Sequence, residues 1–185
     1  MEDEQIIALY DRRDEAALAE TGRKYSSYCR KIAMQILQNA EDAEEAVNDT
    51  WLAAWNCIPP HRPERLQTFL GRLTRNLSLK KYRSGHAQKR GSGETAAVLD
   101  EVADWLRSPQ DTESEADAHM LAEAINRFLD RLPETECQAF VRRYWYFQPV
   151  AQIAEACGCS ESKVKSMLYR TRKKLYAALE KEALV

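Results

Sequence analysis

The sequence predicts an all-α protein built from two small helical domains joined by a flexible acidic linker. Apolar side chains recur at helical spacing along most of the 185 residues, and no convincing alternating run indicates a strand. Gly and Pro number only 6 each, too few for a turn-rich all-β chain. The helical spacing fails between residues 85 and 115, where Gly, Ser, Pro and acidic residues accumulate. We therefore expect domains over residues 1–84 and 116–185 and a linker over 85–115.

Three helices are predicted in the first domain. The first covers residues 15–37, with Asp14 as a candidate cap. The second covers residues 40–57 and places four acidic residues in its first turns, where carboxylates interact favourably with the positive end of the helix dipole. The third covers residues 64–83. Apolar stripes on all three predict one shared core, to which Trp51 and Trp55 most simply belong.

The second domain is predicted to contain four helical segments. They cover residues 116–132, 133–145, 150–156 and 160–179. A short apolar stretch at residues 98–106, inside the expected linker, is compatible with a docked turn.

The formal net charge of −2 conceals four blocks of charge. Basic and acidic side chains number 6 and 12 in residues 1–59, 9 and 1 in 60–91, 3 and 12 in 92–136, and 9 and 4 in 137–185. The net charges of the blocks are therefore −6, +8, −9 and +5. Solvated helix faces would interleave the two signs more evenly. Two separate basic blocks indicate a polyanion that the protein contacts twice, so near-neutrality does not exclude nucleic acid.

Residues 150–167 have the spacing of a DNA-reading helix-turn-helix. Ala154 is small where two helices would cross closely, and Gly158 suits the left-handed turn between them. Val164 returns an apolar side chain to the same seam, and Ser160 is a good cap for the second helix. The second domain is therefore predicted to contain a helix-turn-helix.

The second helix of this motif carries polar and basic residues away from its apolar stripe. Such a face can enter a major groove, neutralise phosphates and contact base edges. A solvated basic helix face is the alternative. The residues predicted to contact DNA are Ser160, Ser162, Lys163, Lys165, Ser166, Arg170 and Lys173.

The predicted helix at residues 64–83 carries the other basic block. An amide and an aromatic ring, from Asn76 and Tyr82, are suited to base-edge hydrogen bonds and to stacking on unpaired bases. A solvated basic face is again the alternative. The residues predicted to contact nucleic acid here are Arg72, Arg75, Asn76, Lys80, Lys81 and Arg83.

Other kinds of function find little support in the sequence. The 5 cysteines are odd in number, and the acidic N-terminus lacks signal-peptide features, which favours a reducing, cytoplasmic setting. Cys157 and Cys159 have no second pair or nearby His to complete a zinc site. No phosphate-binding loop or dinucleotide turn occurs, and no apolar run reaches membrane-spanning length. We expect no catalytic residue, metal, cofactor or membrane insertion.

The arrangement resembles the extracytoplasmic-function (ECF) sigma factors, small promoter-specificity subunits of bacterial RNA polymerase. The likeness to their region two lies in Asp42-Ala43-Glu44-Glu45, Phe69-Leu70 and Arg75-Asn76-Leu77. The likeness to their region four lies in Leu132-Pro133-Glu134, Arg142-Arg143-Tyr144, Val164-Lys165-Ser166 and Arg170-Thr171-Arg172-Lys173-Lys174-Leu175.

The resemblance implies roles that spacing alone does not. The third helix would bind the upstream edge of the melted minus-ten element, and residues 57–65 would form the pocket that captures a flipped base. The recognition helix would read the duplex minus-thirty-five element, and the acidic linker would extend toward the RNA exit path. An anti-sigma factor would be a further partner, although no residue indicates one. Core RNA polymerase would be bound, at the clamp helices of its largest subunit, by Asp42, Glu45, Asp49 and Trp51.

Four positions depart from the family pattern. Asn48 stands where Gln is usual. Lys80 stands where an acid is usual, and Pro149 replaces a serine cap before the helix-turn-helix. Met167 replaces a frequent arginine, which would remove one phosphate contact. These departures predict an unusual promoter preference.

Two other classes of protein remain open on the sequence. A stand-alone helix-turn-helix regulator with an N-terminal sensing or dimerisation domain would explain the second domain. It would leave the +8 block and the acidic second helix unexplained. A helical enzyme or scaffold would need a convergent catalytic set, which the sequence does not offer.

Overall fold

The computed structural model describes residues 1–86, 94–103 and 115–182. The chain divides into two compact units, Met1–Gly91 and Ser92–Val185, each with its own apolar core. Regular structure within the described ranges is exclusively helical, which confirms the all-α fold class.

The helices of both units follow the predicted order. The seven predicted helices are present, each end within about three residues of its expected position, and two further helices, α1 and α5, are additional. The described residues of the first unit form α1 (Asp3–Asp11), α2 (Ala16–Leu37), α3 (Ala40–Cys57) and α4 (Leu66–His86). Those of the second form α5 (Glu94–Ala103), α6 (Glu115–Asp130), α7 (Glu134–Tyr144), α8 (Val150–Ala156) and α9 (Glu161–Lys181).

Helices α2, α3 and α4 pack on one another to form the core of the first unit. Helix α2 ends at Gln38, whose backbone is left-handed with φ 53°. The side chain of Asn39 then accepts a hydrogen bond of 3.0 Å from the Asp42 N–H, which caps α3. Val47, Ala54, Ile58, Leu66 and Leu70 are buried, as their stripes predict.

The three helices approach closely at a patch of small residues. A Cβ atom at Gly71 of α4 would lie 2.5 Å from the hydroxyl oxygen of Tyr28 on α2, so a larger residue here would displace the end of the Tyr28 side chain. The hydroxyls of Thr50 on α3 and Thr74 on α4 lie 3.1 Å apart and buried. Each also donates to the carbonyl of the residue four positions earlier, so no polar atom of this pair is stranded in the core.

Helix α1 packs on α2 and adds Ile6 and Tyr10 to the core. The Tyr10 and Thr21 hydroxyls form a buried hydrogen bond of 2.9 Å. At the other end of α1, the Asp3 carboxylate accepts hydrogen bonds from Lys24 (2.7 Å) and Tyr25 (2.5 Å). The helix is therefore fixed to α2 at both of its ends.

The core of the second unit lies between α7, α8 and α9. Helix α6 packs on α9, where Arg127 Nη2 lies 2.7 Å from a Glu182 oxygen. The buried residues of the core are Ala139, Ile153, Ala154, Val164, Met167 and Leu168.

Helix α5 lies within the sequence range expected to be an irregular linker. Val98 is only 2% exposed, and Glu101 contacts α7 and α9. The apolar stretch at 98–106 therefore begins inside a helix rather than a turn, and residues 104–106 lie outside the described residues. So do residues 87–93 and 104–114, which make up most of the remaining expected linker.

Candidate nucleic-acid interface

Helices α8 and α9 form the predicted helix-turn-helix. Gly158 adopts φ +61° in the turn, a left-handed conformation that glycine adopts without strain. Ala154 and Val164 are buried against each other's helices in one cluster. The Ser160 side chain accepts a hydrogen bond from the Lys163 N–H at 3.3 Å and so caps α9. Each local feature that the spacing predicts is confirmed.

The exposed face of α9 begins at its first turn. Lys165 lies 3.8 Å from Glu161, and the Lys173 ammonium lies 4.9 Å from the centre of the exposed Tyr169 ring. Met167 is buried in the core, so this position does not lie on the exposed face of α9 where phosphate contacts are predicted. The seven residues predicted to contact DNA are all exposed, namely Ser160, Ser162, Lys163, Lys165, Ser166, Arg170 and Lys173.

Glu101 of α5 fixes the C-terminal half of α9 to α7. One carboxylate oxygen accepts hydrogen bonds from Arg143 Nη2 at 2.6 Å and Nε at 3.2 Å. The other accepts from Arg172 Nη1 at 2.7 Å and the Tyr144 hydroxyl at 2.6 Å. Burial, and next the hydrogen bond to Glu101, raise the pKa of the Tyr144 hydroxyl. Sequence reasoning missed Glu101 because its partners lie more than 40 positions away.

The structure separates the six predicted residues of α4 into two groups. Arg72, Asn76, Lys80 and Arg83 are exposed, and their spacing of four, four and three places them along one helix face. Arg75 is half-buried, and burial, followed by the nearby Arg83 charge, lowers the pKa of its guanidinium. We call Arg72, Asn76, Lys80 and Arg83 the α4 stripe.

Lys81 lies against α3 rather than on the α4 stripe. Its ammonium is 2.6 Å from a Glu45 oxygen and 3.2 Å from an Asp42 oxygen. The hydrogen bond to Glu45 raises the pKa of Lys81, and the one to Asp42 acts in the same direction. A residue predicted to contact DNA and two predicted to contact polymerase therefore form one cluster of ion pairs.

The outer face of α3 combines carboxylates with one large apolar side chain. Asp49 and Glu45 are exposed, and Leu52 is 61% exposed. Trp51 is half-buried and packs against the core, so only part of its side chain can contact a partner. Sequence reasoning missed Leu52, although an apolar residue one turn beyond Asn48 and Asp49 on an acidic face was a readable signal.

The loop at residues 57–65 follows α3 and contacts the turn between α1 and α2. Arg13 Nη1 donates to the Trp55 carbonyl at 2.5 Å, and Nη2 lies 3.4 Å from the Pro59 carbonyl oxygen. The guanidinium carbon lies 5.4 Å from the centre of the Trp55 ring. Arg62 and Asp11 form an ion pair of 3.6 Å. Nothing in the sequence pattern indicated that Arg13 reaches a loop more than 40 residues away.

The part of the chain that the structure describes contains neither a cluster of metal ligands nor a membrane-spanning helix. No group of three or more His, Cys, Asp or Glu side chains is arranged to hold a metal ion there. Among the helices of those residues, none has both the length and the apolar character needed to cross a membrane.

A helix-turn-helix and a second exposed basic helix, in two helical units, define a helical DNA-binding protein. Residues 23–88 match the Sigma-70 region 2 family, and residues 122–175 match the Sigma-70, region 4 family. The ECF RNA polymerase sigma factor EcfG of Rhodopseudomonas palustris (strain TIE-1) is 30% identical over 152 residues, 81% of this chain and 78% of that protein. The chain therefore belongs to the ECF-type RNA polymerase sigma factors.

Family membership confirms the resemblance seen in the sequence and sets aside a stand-alone regulator as the class of protein. The partners of a sigma factor are core RNA polymerase and promoter DNA. Each of the two matched segments carries an exposed basic helix face, on α4 in the first and on α9 in the second.

Proposed function

We propose that this protein directs core RNA polymerase to a small set of promoters and helps to open the duplex there. The observation that carries the proposal is the order of its segments, a region 2 match followed by a region 4 match, each with an exposed basic helix face. The protein itself performs no catalysis, which belongs to the core polymerase. It acts in the cytoplasm, where transcription takes place.

The recognition helix α9 is proposed to read the duplex minus-thirty-five element. Its exposed serines and cations start at the N-terminal turn, the part of a recognition helix that lies nearest the base edges in a major groove. The serine hydroxyls can bond base edges, and Lys165, Arg170 and Lys173 can neutralise phosphates. Helices α7 and α8 support this geometry because they bury the opposite face of α9.

The α4 stripe is proposed to bind the melted minus-ten strand. Three cations and one amide along a single exposed face suit a backbone with one charge per nucleotide and a base edge to read. Lys80, the departure from the family pattern, lies on this stripe and adds a positive charge there. Lys81 is proposed to act mainly inside the unit, because its ammonium pairs with Glu45 and Asp42 of α3. Arg75 is proposed to contribute less to the exposed face, because it is half-buried.

The outer face of α3 is proposed to dock on core polymerase through Glu45, Asp49 and Leu52, with Asp42 and Trp51 at its edge. An exposed leucine among carboxylates suits a protein surface that offers an apolar pocket and basic groups. The acidic character of α3 makes this face unsuited to DNA. Core polymerase and promoter DNA would therefore bind different helices of the same small unit.

Run-off transcription on a promoter library tests the proposal. Core polymerase is incubated with the library alone, with the wild-type chain, and with a Lys165→Ala, Arg170→Ala, Lys173→Ala variant. The wild type should select a promoter set that core polymerase alone does not use, and the triple variant should lose that selection. If the wild type enriches no sequence above the core polymerase alone, the proposed function is wrong.

A further inference from the structure

The turn between α1 and α2 lies outside the segment that matches region 2, which begins at residue 23. Arg13 in this turn and Asp11 at the end of α1 nevertheless contact the loop at residues 57–65, at Pro59 and at Arg62. Arg13 contacts the carbonyls of Trp55 and Pro59, and Asp11 pairs with Arg62. An element outside the family segment therefore supports a loop inside it.

The Trp55 carbonyl lies in the last turn of α3, where carbonyl groups have no partner further along the helix. The last turn of α3 carries no basic residue of its own. The Arg13 guanidinium supplies both a donor and a positive charge at this negative end of the helix dipole. Its second nitrogen reaches Pro59, so one planar group fixes the direction in which the chain leaves α3.

The backbone of Arg13 is left-handed, with φ 55°. Its N–H donates to the Tyr10 carbonyl and the Asp14 N–H donates to the Leu9 carbonyl, each at 3.0 Å. These two bonds are typical of a helix end at which glycine is the usual left-handed residue. An arginine here accepts a backbone conformation that glycine would adopt without strain. Gln38 and Phe147 have the same left-handed backbone, so the role of Arg13 is inferred from its side-chain contacts.

We propose that Arg13 is a positioning residue for the loop at residues 57–65 and that base capture from the opened promoter depends on it. The inference rests on the proposed function and on the pocket for a flipped base that the family resemblance implies for this loop. Extruding a base has a substantial cost, so a pocket must be held in place before the base arrives. Arg13 contacts the Trp55 carbonyl just before that loop and the Pro59 carbonyl within it, and Asp11 forms an exposed ion pair with Arg62 further along.

Three variants at Arg13 and one neighbouring control test the proposal. Arg13→Ala and Arg13→Gly both remove the side chain, but only the glycine variant also relieves the left-handed backbone. Arg13→Lys keeps the charge with a single ammonium. Arg12→Ala removes the same charge from the preceding exposed residue.

Each full-length variant is assembled with core polymerase. The probe is the minus-ten strand of a promoter from the run-off selection, intact or with one base replaced by an abasic residue. The measured quantity is the ratio of the affinities for the intact and abasic strands at the most sensitive position. The Tm of each free full-length chain is measured alongside.

We expect Arg13→Ala and Arg13→Gly to lower this affinity ratio about fivefold, the effect of losing roughly one hydrogen bond. Arg13→Lys should retain part of the ratio, and Arg12→Ala should leave it unchanged. The glycine variant should have a higher Tm than the alanine variant yet the same defect in base capture, because strain and positioning are separate properties.

Two results would overturn the proposal. One is an affinity ratio that rises and falls with Tm across the variants, which a purely structural role predicts. The other is an unchanged ratio in both Arg13→Ala and Arg13→Gly. Failure of the proposed function itself would be seen earlier and separately, because the wild-type chain would then select no promoter with core polymerase.

Discussion

One carboxylate, that of Glu101, binds three side chains from α7 and α9. The Arg143 side chain is only 4% exposed, and a guanidinium taken out of water needs a compensating charge. Tyr144 and Arg172 bind the second oxygen of the same carboxylate. Glu101 is 27% exposed, so the cluster lies at the edge of the unit and still feels some screening by solvent.

Replacement of Glu101 should therefore destabilise the second unit. We expect Glu101→Gln to lower its free energy of unfolding by about 2 kcal/mol, less than for a fully buried pair because Glu101 is partly exposed. Hydrogen exchange of the α7 and α9 amides in the full chain should accelerate about 30-fold if they exchange through unfolding of this unit. Glu136→Gln loses the ion pair with the exposed Lys174 but keeps an amide oxygen that can accept from Thr171, so it should change exchange by less than about fivefold. Equal effects of both variants would contradict a central role for Glu101.

The spacing of residues predicts which side chains share a helix face, but not which side chains pair between helices. The four residues of the α4 stripe recur every three or four positions, which places them on one helix face. The same periodicity places Lys81 on a different face. No pattern could give the partners of Lys81, because Asp42 and Glu45 lie on another helix, more than 35 positions earlier. Faces are periodic and hence predictable, whereas ion pairs between helices depend on how those helices cross.

At the scale of elements, the long amphipathic helices were predicted well, and so were the shorter α7 and α8, whereas α1 and α5 were not. Helices α2, α3, α4 and α9 each span 18 residues or more, so their apolar stripes repeat several times. Helices α1 and α5 have 9 and 10 residues, below the length at which an isolated helix is stable in water. Contacts to α2 stabilise α1, and contacts through Val98 and Glu101 stabilise α5. The sequence does not contain these tertiary contacts in any local form.

The recognition helix offers a prediction for a single element. Lys165→Ala with Arg170→Ala should weaken binding of the full chain to minus-thirty-five duplex and reduce the salt slope of log affinity by about 2, one for each lost phosphate contact. Fluorescence anisotropy over a range of salt concentrations measures that slope. Lys181→Ala, at the far end of α9, is the matched control and should leave the slope unchanged. An unaltered slope in the double variant would show that this face does not contact phosphates.

At the scale of the whole molecule, the chain carries its basic and its acidic surfaces on separate elements. Basic side chains concentrate in residues 60–91 and 137–185, which contain α4 and most of the helix-turn-helix unit, while α3 and the α5–α6 region are acidic. The net charge of −2 is the sum of these blocks and describes none of them. One small chain can thus bind a polyanion and a protein without either surface attracting the wrong partner.

This separation of charged surfaces predicts that a substitution can weaken binding to one partner without weakening binding to the other. Asp49→Lys should weaken binding to core polymerase by roughly tenfold or more. The polymerase surface that receives an acidic face is expected to be basic, and it would repel the introduced lysine. Affinity for isolated minus-thirty-five duplex should remain within about twofold, since Asp49 belongs to the other unit. Glu4→Lys makes the same change of charge on the exposed side of α1 and should affect neither affinity. Titration of labelled core polymerase and of labelled duplex measures the two constants. If Asp49→Lys and Glu4→Lys weaken polymerase binding equally, overall charge and not the α3 face governs docking.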